Sequence, residues 1–157
     1  GLQAVDPLPL CRAKGGELAL ACLEGVPCRD RRVALRGERA DGTAWALAEA
    51  LCPHVGLLLL DFQQGEEALA RRLRTLYGAP VLRTEQAPPP QAAVELSPCR
   101  SLPVRTLRLW GEPDLAGLTL AGEVPAPPEM PPLPFLQLLW ETGRVELKDL
   151  CVAGRAE

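Results

Sequence analysis

Residues 33–83 repeat one pattern, in which a short apolar run is followed by a helical segment and then by another apolar run. The apolar runs are VALRG at 33–37, LLLL at 57–60 and PVLR at 80–83, and they begin about 23 residues apart. Strands that alternate with helices this regularly pair in parallel and are joined by right-handed crossovers. The pattern predicts an α/β fold, and we expect three layers around a Rossmann-like or flavodoxin-like parallel sheet.

The first helix of this pattern is predicted over 43–52. Asp41 precedes it and is a favourable N-cap, because its carboxylate can accept a hydrogen bond from a backbone N–H of the first turn. The side opposite its apolar face carries Trp45, and Glu49 is its one charged residue. A helix that is apolar nearly all round is either buried or covered by a partner. We therefore expect a protein partner, or a second copy of the chain, to bind through the helix around Trp45.

The second helix is predicted over 64–77 and is more strongly amphipathic. Its inner stripe consists of Leu69, Leu73 and Leu76, at spacings that lie on one face of a helix. Gly78 follows it and is suited to the left-handed conformation that ends many helices. This helix therefore has both a buried face and a defined end.

The second half of the chain is interrupted by two proline-rich segments, 84–91 and 123–134. The three consecutive prolines of the first exclude a helix and favour a stiff, extended connection. Between and after these segments come pieces with the length and composition of strands: 92–97, 104–110 and 118–122. We expect these strands to extend the central sheet or to pack beside it.

Both ends of the chain are less regular. The first twelve residues contain two prolines and are interpreted as an irregular lead-in, whereas 17–25 is interpreted as a strand. Near the other end, 134–143 is predicted to be helical. The whole chain is therefore expected to be one α/β domain, with its core over about 15–85 and a β-rich extension over about 92–157.

Composition excludes several classes of partner. The net charge of −3 gives no general attraction to nucleic acid, and the arginine-rich stretches 29–32 and 71–74 are short. Fifteen of the seventeen basic residues are arginine, which is typical of a GC-rich coding sequence and weakens arginine as a sign of anion binding. No apolar stretch reaches the roughly 18–20 residues of a membrane span. We expect no nucleic-acid and no membrane partner.

The six cysteines are scattered and include no CxxC pair. A domain with this much apolar sequence needs no disulfide scaffold, so reduced thiols in a soluble, cytoplasmic, bacterial protein are expected. The chain opens with Gly1 and without a basic and apolar leader pattern, which suggests a processed end or a tag remnant.

Four residues near the ends of predicted strands are candidates for ligand binding. Parallel sheets bind ligands beyond the carboxyl ends of their strands, where Arg36, Arg39, Asp61 and Arg83 are predicted to lie. Such residues could bind a small molecule or an anion. For Asp61 the structural interpretation is favoured: it would end its strand and help to cap the next helix, as Asp41 does.

Motifs for catalysis and cofactor binding are weak. The chain has no GxxxxGK[ST] loop and no GxGxxG after a strand, so no cofactor is expected. His54 is the one histidine, and a zinc site needs more ligands in paired spacings, so no metal is expected. An enzyme would have to use Cys99, whose pKa the neighbouring Arg100 could lower, or a Cys99–His54 pair.

Three functions are consistent with these features. A non-catalytic protein-interaction or regulatory module is favoured, because standard catalytic signatures are missing and one helix is apolar on two faces. The alternatives are a small-molecule or anion-binding domain that uses the strand-end residues, and an enzyme centred on Cys99 or His54. A βαβ pattern alone does not decide among them, because many unrelated functions share it.

Overall fold

A computed structural model describes residues 5–83 and 87–154, with the side chain of Arg83 also left undescribed. Within these residues the chain forms five α-helices and seven β-strands. The helices are α1 (Leu8–Ala13), α2 (Gly15–Cys22), α3 (Gly42–Leu51), α4 (Glu66–Tyr77) and α5 (Pro132–Glu141). The strands are β1 (Arg32–Arg39), β2 (Leu57–Gln64), β3 (Val81–Arg83), β4 (Ala92–Glu95), β5 (Arg105–Arg108), β6 (Thr119–Ala121) and β7 (Cys151–Ala153).

Five of the strands form one parallel sheet in the order β3-β2-β1-β4-β5. The predicted α/β fold with a parallel sheet is confirmed, and the order is consistent with a Rossmann-like core. It differs from the flavodoxin-like order, in which the first strand is flanked by the second and third. Two of the strands predicted after the first proline segment extend this sheet beside β1, whereas β6 and β7 form a separate antiparallel pair.

One face of the sheet carries the main hydrophobic core. Alternate residues of the central strands, such as Val33 and Leu35 of β1 and Leu58 and Leu60 of β2, are buried there. Side chains alternate between faces along a strand, so these four point the same way. All five helices contribute buried residues to this cluster. The helical layer is therefore built from both ends of the chain as well as from the two crossover helices.

The other face is covered differently. Its buried cluster contains no residue from a helix among those described. The cluster consists of Ala34, Leu59 and Ala93, with Leu57, Ala87, Leu102 and Val104 packed against it. The two connections between strands on this side are too short for a helix. They comprise 84–91 and 96–104, with eight and nine residues, whereas a helical crossover needs about a dozen residues or more. The third layer, predicted as part of a three-layer fold, is formed on this face by irregular segments.

Residues 17–25 are not a strand, and this prediction was wrong. They fall largely within α2, which buries Leu18 and Ala19. Strand-forming β-branched residues are absent from this segment, and alanine, leucine and glutamate favour helices, so its composition held the correct signal. The lead-in is also more ordered than expected, because α1 begins at Leu8 and buries Leu10.

The end of α4 differs from the prediction. Leu69 and Leu73 of the predicted inner stripe are buried, but Leu76, which was expected in the same stripe, is 55% exposed. The neighbouring Tyr77 is 46% exposed. The last turn of α4 therefore extends past the part of the helix that other described residues cover.

Among the described residues, no helix combines the length and apolar character needed to cross a membrane.

Candidate functional site

Three charged side chains meet at the carboxyl end of the sheet. In the strand register, Arg36 of β1 is paired with Asp61 of β2 on one side and with Glu95 of β4 on the other. Register partners in a sheet point to the same face, and this face is the one without helices. The three residues form a row that we call the charged triad.

The triad is held by direct contacts. Arg36 Nε lies 3.0 Å from Asp61 Oδ2, and Arg36 Nη1 lies 3.5 Å from Glu95 Oε2. The same Nη1 donates a hydrogen bond to the backbone carbonyl of Arg100. The side chains of Arg36 and Glu95 are 5% and 10% exposed, whereas that of Asp61 is 47% exposed. One buried cation therefore stands between two carboxylates, and only one of these reaches water.

Glu95 has further support from β5 and the residues after it. Trp110 Nε1 lies 3.5 Å from Glu95 Oε1, and the backbone N–H of Leu109 donates to the Glu95 carbonyl at 2.9 Å. The guanidinium of Arg108 lies 5.3 Å from the centre of a Trp110 ring, within cation–π range. These contacts keep the Glu95 carboxylate directed at Arg36.

An open cleft of about 550 Å³ lies beside the triad. It is at the carboxyl ends of β1 and β2, near the point where the strand order reverses between β1 and β4. Sheets of this type bind ligands at such a switch point. Its charged and thiol-bearing lining residues are Arg36, Asp61, Glu66, Cys99 and Arg100.

The helix side of the switch point is filled by the chain itself. A Cβ atom added at Gly37 would lie 3.3 Å from both a Phe62 ring carbon and Ser97 Oγ, so these side chains pack directly on the Gly37 backbone. Ser97 Oγ also accepts a 2.7 Å hydrogen bond from the backbone N–H of Glu38, which ties the end of β1 to the segment after β4. The lining of the open cleft includes residues from both faces of the sheet, such as Phe62 on the helix side and Leu102 on the other side.

The four predicted ligand-binding residues do not all come together. Arg36 and Asp61 meet in the triad, as described. Arg39 is exposed three positions further along β1 and donates to Gln64 Oε1 at 3.2 Å, away from the cleft lining. Arg83 ends β3 at the register of Leu60, and its side chain lies outside the described residues.

Asp61 does not act as a helix cap. It lies within β2, three residues before that strand ends, and the residue preceding α4 is Gly65 in the left-handed conformation, with φ of 81°. The turn is closed instead by Glu66, whose Oε1 accepts a hydrogen bond from the Phe62 backbone N–H at 3.0 Å. Asp41 does cap α3 as predicted, through a 3.1 Å hydrogen bond from the Ala44 N–H.

The proposed Cys99–His54 pair is excluded by position. Cys99 lines the cleft at the carboxyl end of the sheet, whereas His54 precedes β2 at the opposite end. The pKa of Cys99 is raised, first by burial and then by the Glu95 carboxylate, although Arg36 lowers it. The predicted lowering of this pKa by Arg100 was therefore wrong. No group of three or more metal-binding side chains occurs within the described ranges.

Trp45 is engaged by its own chain. Its indole Nε1 donates to the Ala40 carbonyl at 3.1 Å, and the Arg72 guanidinium lies 5.3 Å from a Trp45 ring centre. Arg72 also forms a 2.8 Å ion pair with Glu49, so α4 covers this side of α3. These contacts pack the Trp45 side of α3 against α4, and the partner expected at this helix stays a prediction.

Glu95 is the functional candidate that the sequence did not single out. Its signal was an acidic residue at the end of the apolar run AAVE, two positions after buried Ala93 and thus on the same strand face. Comparison with known proteins adds no further candidate, since no family model, curated protein or solved structure matches the chain. The charged triad and its cleft are therefore the basis for a functional proposal.

Proposed function

We propose that this domain binds a small polar molecule in the cleft beside Asp61. The observation that carries the proposal is the charged triad, in which Arg36 and Glu95 are buried, Asp61 is half exposed, and Arg36 and Asp61 line an open cleft. Burying charges costs desolvation energy, and apolar residues of similar volume often stabilise a fold as well or better. Departures from such packing rules are expected at functional sites.

The position of the cleft supports the same conclusion. Strand ends near a switch point are the usual ligand site of open α/β sheets. The cleft is lined by Glu66, the first residue of α4, and by irregular segments, including the one that carries Cys99 and Arg100. Such segments can adjust to a ligand more readily than a packed helix layer, because they bury fewer apolar contacts.

A ligand screen with a blocked cleft tests this proposal. Gln63 is exposed and lines the cleft, so Gln63→Trp should fill it, whereas Gln64→Trp adds the same bulk outside the lining. We expect at least one compound of a broad panel of small polar metabolites to raise the melting temperature of the parent protein and of Gln64→Trp. The same compound should leave Gln63→Trp unchanged. A panel without effect, or an equal effect on both variants, would contradict the proposal.

A second proposal is a protein-interaction module, which the sequence favoured. One observation supports it: Leu76 and Tyr77 are adjacent large apolar residues that are about half exposed in the last turn of α4. Isolated exposed apolar residues are common, so this support is weaker than that for the cleft. Light scattering at increasing concentration, on the parent and on Leu76→Lys, tests whether these residues mediate association. Equal masses for both proteins at every concentration would contradict it.

A further inference from the structure

The hydrogen-bonding capacity of Arg36 is largely committed within the protein. Its Nε donates to Asp61, and its Nη1 is shared between Glu95 and the Arg100 carbonyl. Its side chain is 5% exposed, so little of the guanidinium faces the cleft. An anion that replaced Asp61 at Arg36 Nε would leave the displaced carboxylate beside a group of like charge.

Asp61 is the triad member that can accept a ligand. Its Oδ2 contacts Arg36, and its Oδ1 receives no hydrogen bond from any described residue. A carboxylate has about four acceptor positions in total, so several are open to the cleft. Its exposure of 47% lets a ligand reach it without unfolding the strand.

The charge balance also favours a cation. The triad holds two carboxylates and one guanidinium, which leaves one net negative charge that the buried Arg36 cannot offset. Two further charged residues line the cleft, Glu66 and Arg100, and they carry opposite charges. A positively charged ligand group next to Asp61 would neutralise this remaining negative charge. Opposite charges in contact attract each other more strongly where water is partly excluded.

We infer that the ligand carries an ammonium or guanidinium group that binds Asp61, an inference that rests on the function proposed for the cleft. Asp61 would then be the specificity-determining residue, and Glu95 would neutralise Arg36 while Asp61 binds the ligand. This reverses the sequence-based expectation, in which arginines at the strand ends bind an anion.

Isothermal titration with agmatine and with inorganic phosphate distinguishes a cation site at Asp61 from an anion site in the same cleft. Agmatine carries both an ammonium and a guanidinium group. We expect agmatine to bind the parent protein, and its affinity to fall at least tenfold in Asp61→Asn. The affinity should also fall as NaCl is raised, because a half-exposed ion pair is screened by salt. Glu123→Gln removes an exposed carboxylate outside the cleft lining and should bind agmatine like the parent.

The outcomes separate this inference from the proposal on which it rests. If agmatine does not bind, or binds Asp61→Asn as well as the parent, the inference is wrong. If phosphate binds the parent and binds Asp61→Asn more tightly, the cleft is an anion site, so the inference fails while the cleft proposal stands. If binding of every compound survives Gln63→Trp, the cleft proposal itself fails. Melting curves of each variant confirm that the protein tested is folded.

Discussion

Removing the charge of Glu95 should destabilise the protein more than removing the charge of Asp61. Glu95→Gln and Asp61→Asn each preserve side-chain size, and each replaces a carboxylate partner of Arg36 with an amide. The Asp61 contact is shorter, at 3.0 Å against 3.5 Å, so distance alone would favour the opposite order. Burial decides the expected result, because Glu95 is 10% exposed and Asp61 is 47% exposed.

The magnitudes follow from how much water screens each pair. A half-exposed ion pair contributes about 0.5–1 kcal/mol, which sets the expected cost of Asp61→Asn. Breaking a buried pair costs about 3–5 kcal/mol when the remaining charge has no partner. Arg36 keeps Asp61 and the Arg100 carbonyl after Glu95→Gln, and the broken contact is long, so we expect about 2 kcal/mol. In a chain of 157 residues this corresponds to a melting temperature lower by about 4–8 °C.

Urea unfolding followed by tryptophan fluorescence measures both costs, and Trp110 lies beside Glu95 as a local reporter. Glu123→Gln is the control for loss of an exposed carboxylate and should change the free energy of unfolding by less than about 0.5 kcal/mol. If Asp61→Asn costs as much as Glu95→Gln, burial does not govern the triad and the reasoning is refuted.

Three further predictions concern parts of the structure away from the triad. Gly56→Ala should lower the free energy of unfolding by at least about 3 kcal/mol in a urea titration, because the added Cβ would lie 2.0 Å from the Arg29 carbonyl oxygen. A loss below about 1 kcal/mol would show that the turn relaxes easily. Lys14→Met should lower the free energy of unfolding by about 2–3 kcal/mol, since the buried Lys14 Nζ donates to two backbone carbonyls of the C-terminal segment at 2.8 and 2.9 Å. An unchanged urea midpoint would argue against these hydrogen bonds. Burial, assisted by a nearby carboxylate, raises the pKa of Cys11 from 9.0 to about 11, so the unfolded chain loses this proton first. The free energy of unfolding should therefore fall between pH 9 and 11, by about 2 kcal/mol at pH 11. Cys11→Ala should flatten that decline, whereas the same change at exposed Cys28 should not, as denaturant titrations across this pH range would reveal.

Within the described residues, no helix contributes to the buried cluster on one face of the sheet. In a doubly wound sheet, helical layers cover both faces. Here the connections 84–91 and 96–104 are too short to form such a layer, and they leave the charged triad accessible through Asp61.

Local features of the fold could be predicted from the sequence because they depend on neighbours along the chain. The cap at Asp41, the helix of α3 and the buried run of β2 are set by contacts within a few residues. Where a short apolar segment fits either period, as at 17–25, the sequence pattern alone favoured the wrong structure. Leu76 shows the same limit, since its burial depends on what lies opposite the last turn of α4.

The sequence by itself therefore determined the alternation of helices and strands, the parallel pairing that this alternation requires, and the presence of charged residues at strand ends. Only the tertiary structure decided which of those charges meet. Asp61 is 25 residues from Arg36 and Glu95 is 59 residues from it, and both contacts exist because β2 and β4 lie on either side of β1. Strand order and register depend on packing across the whole sheet, so Glu95 could be identified as the partner of Arg36 only once the fold was known.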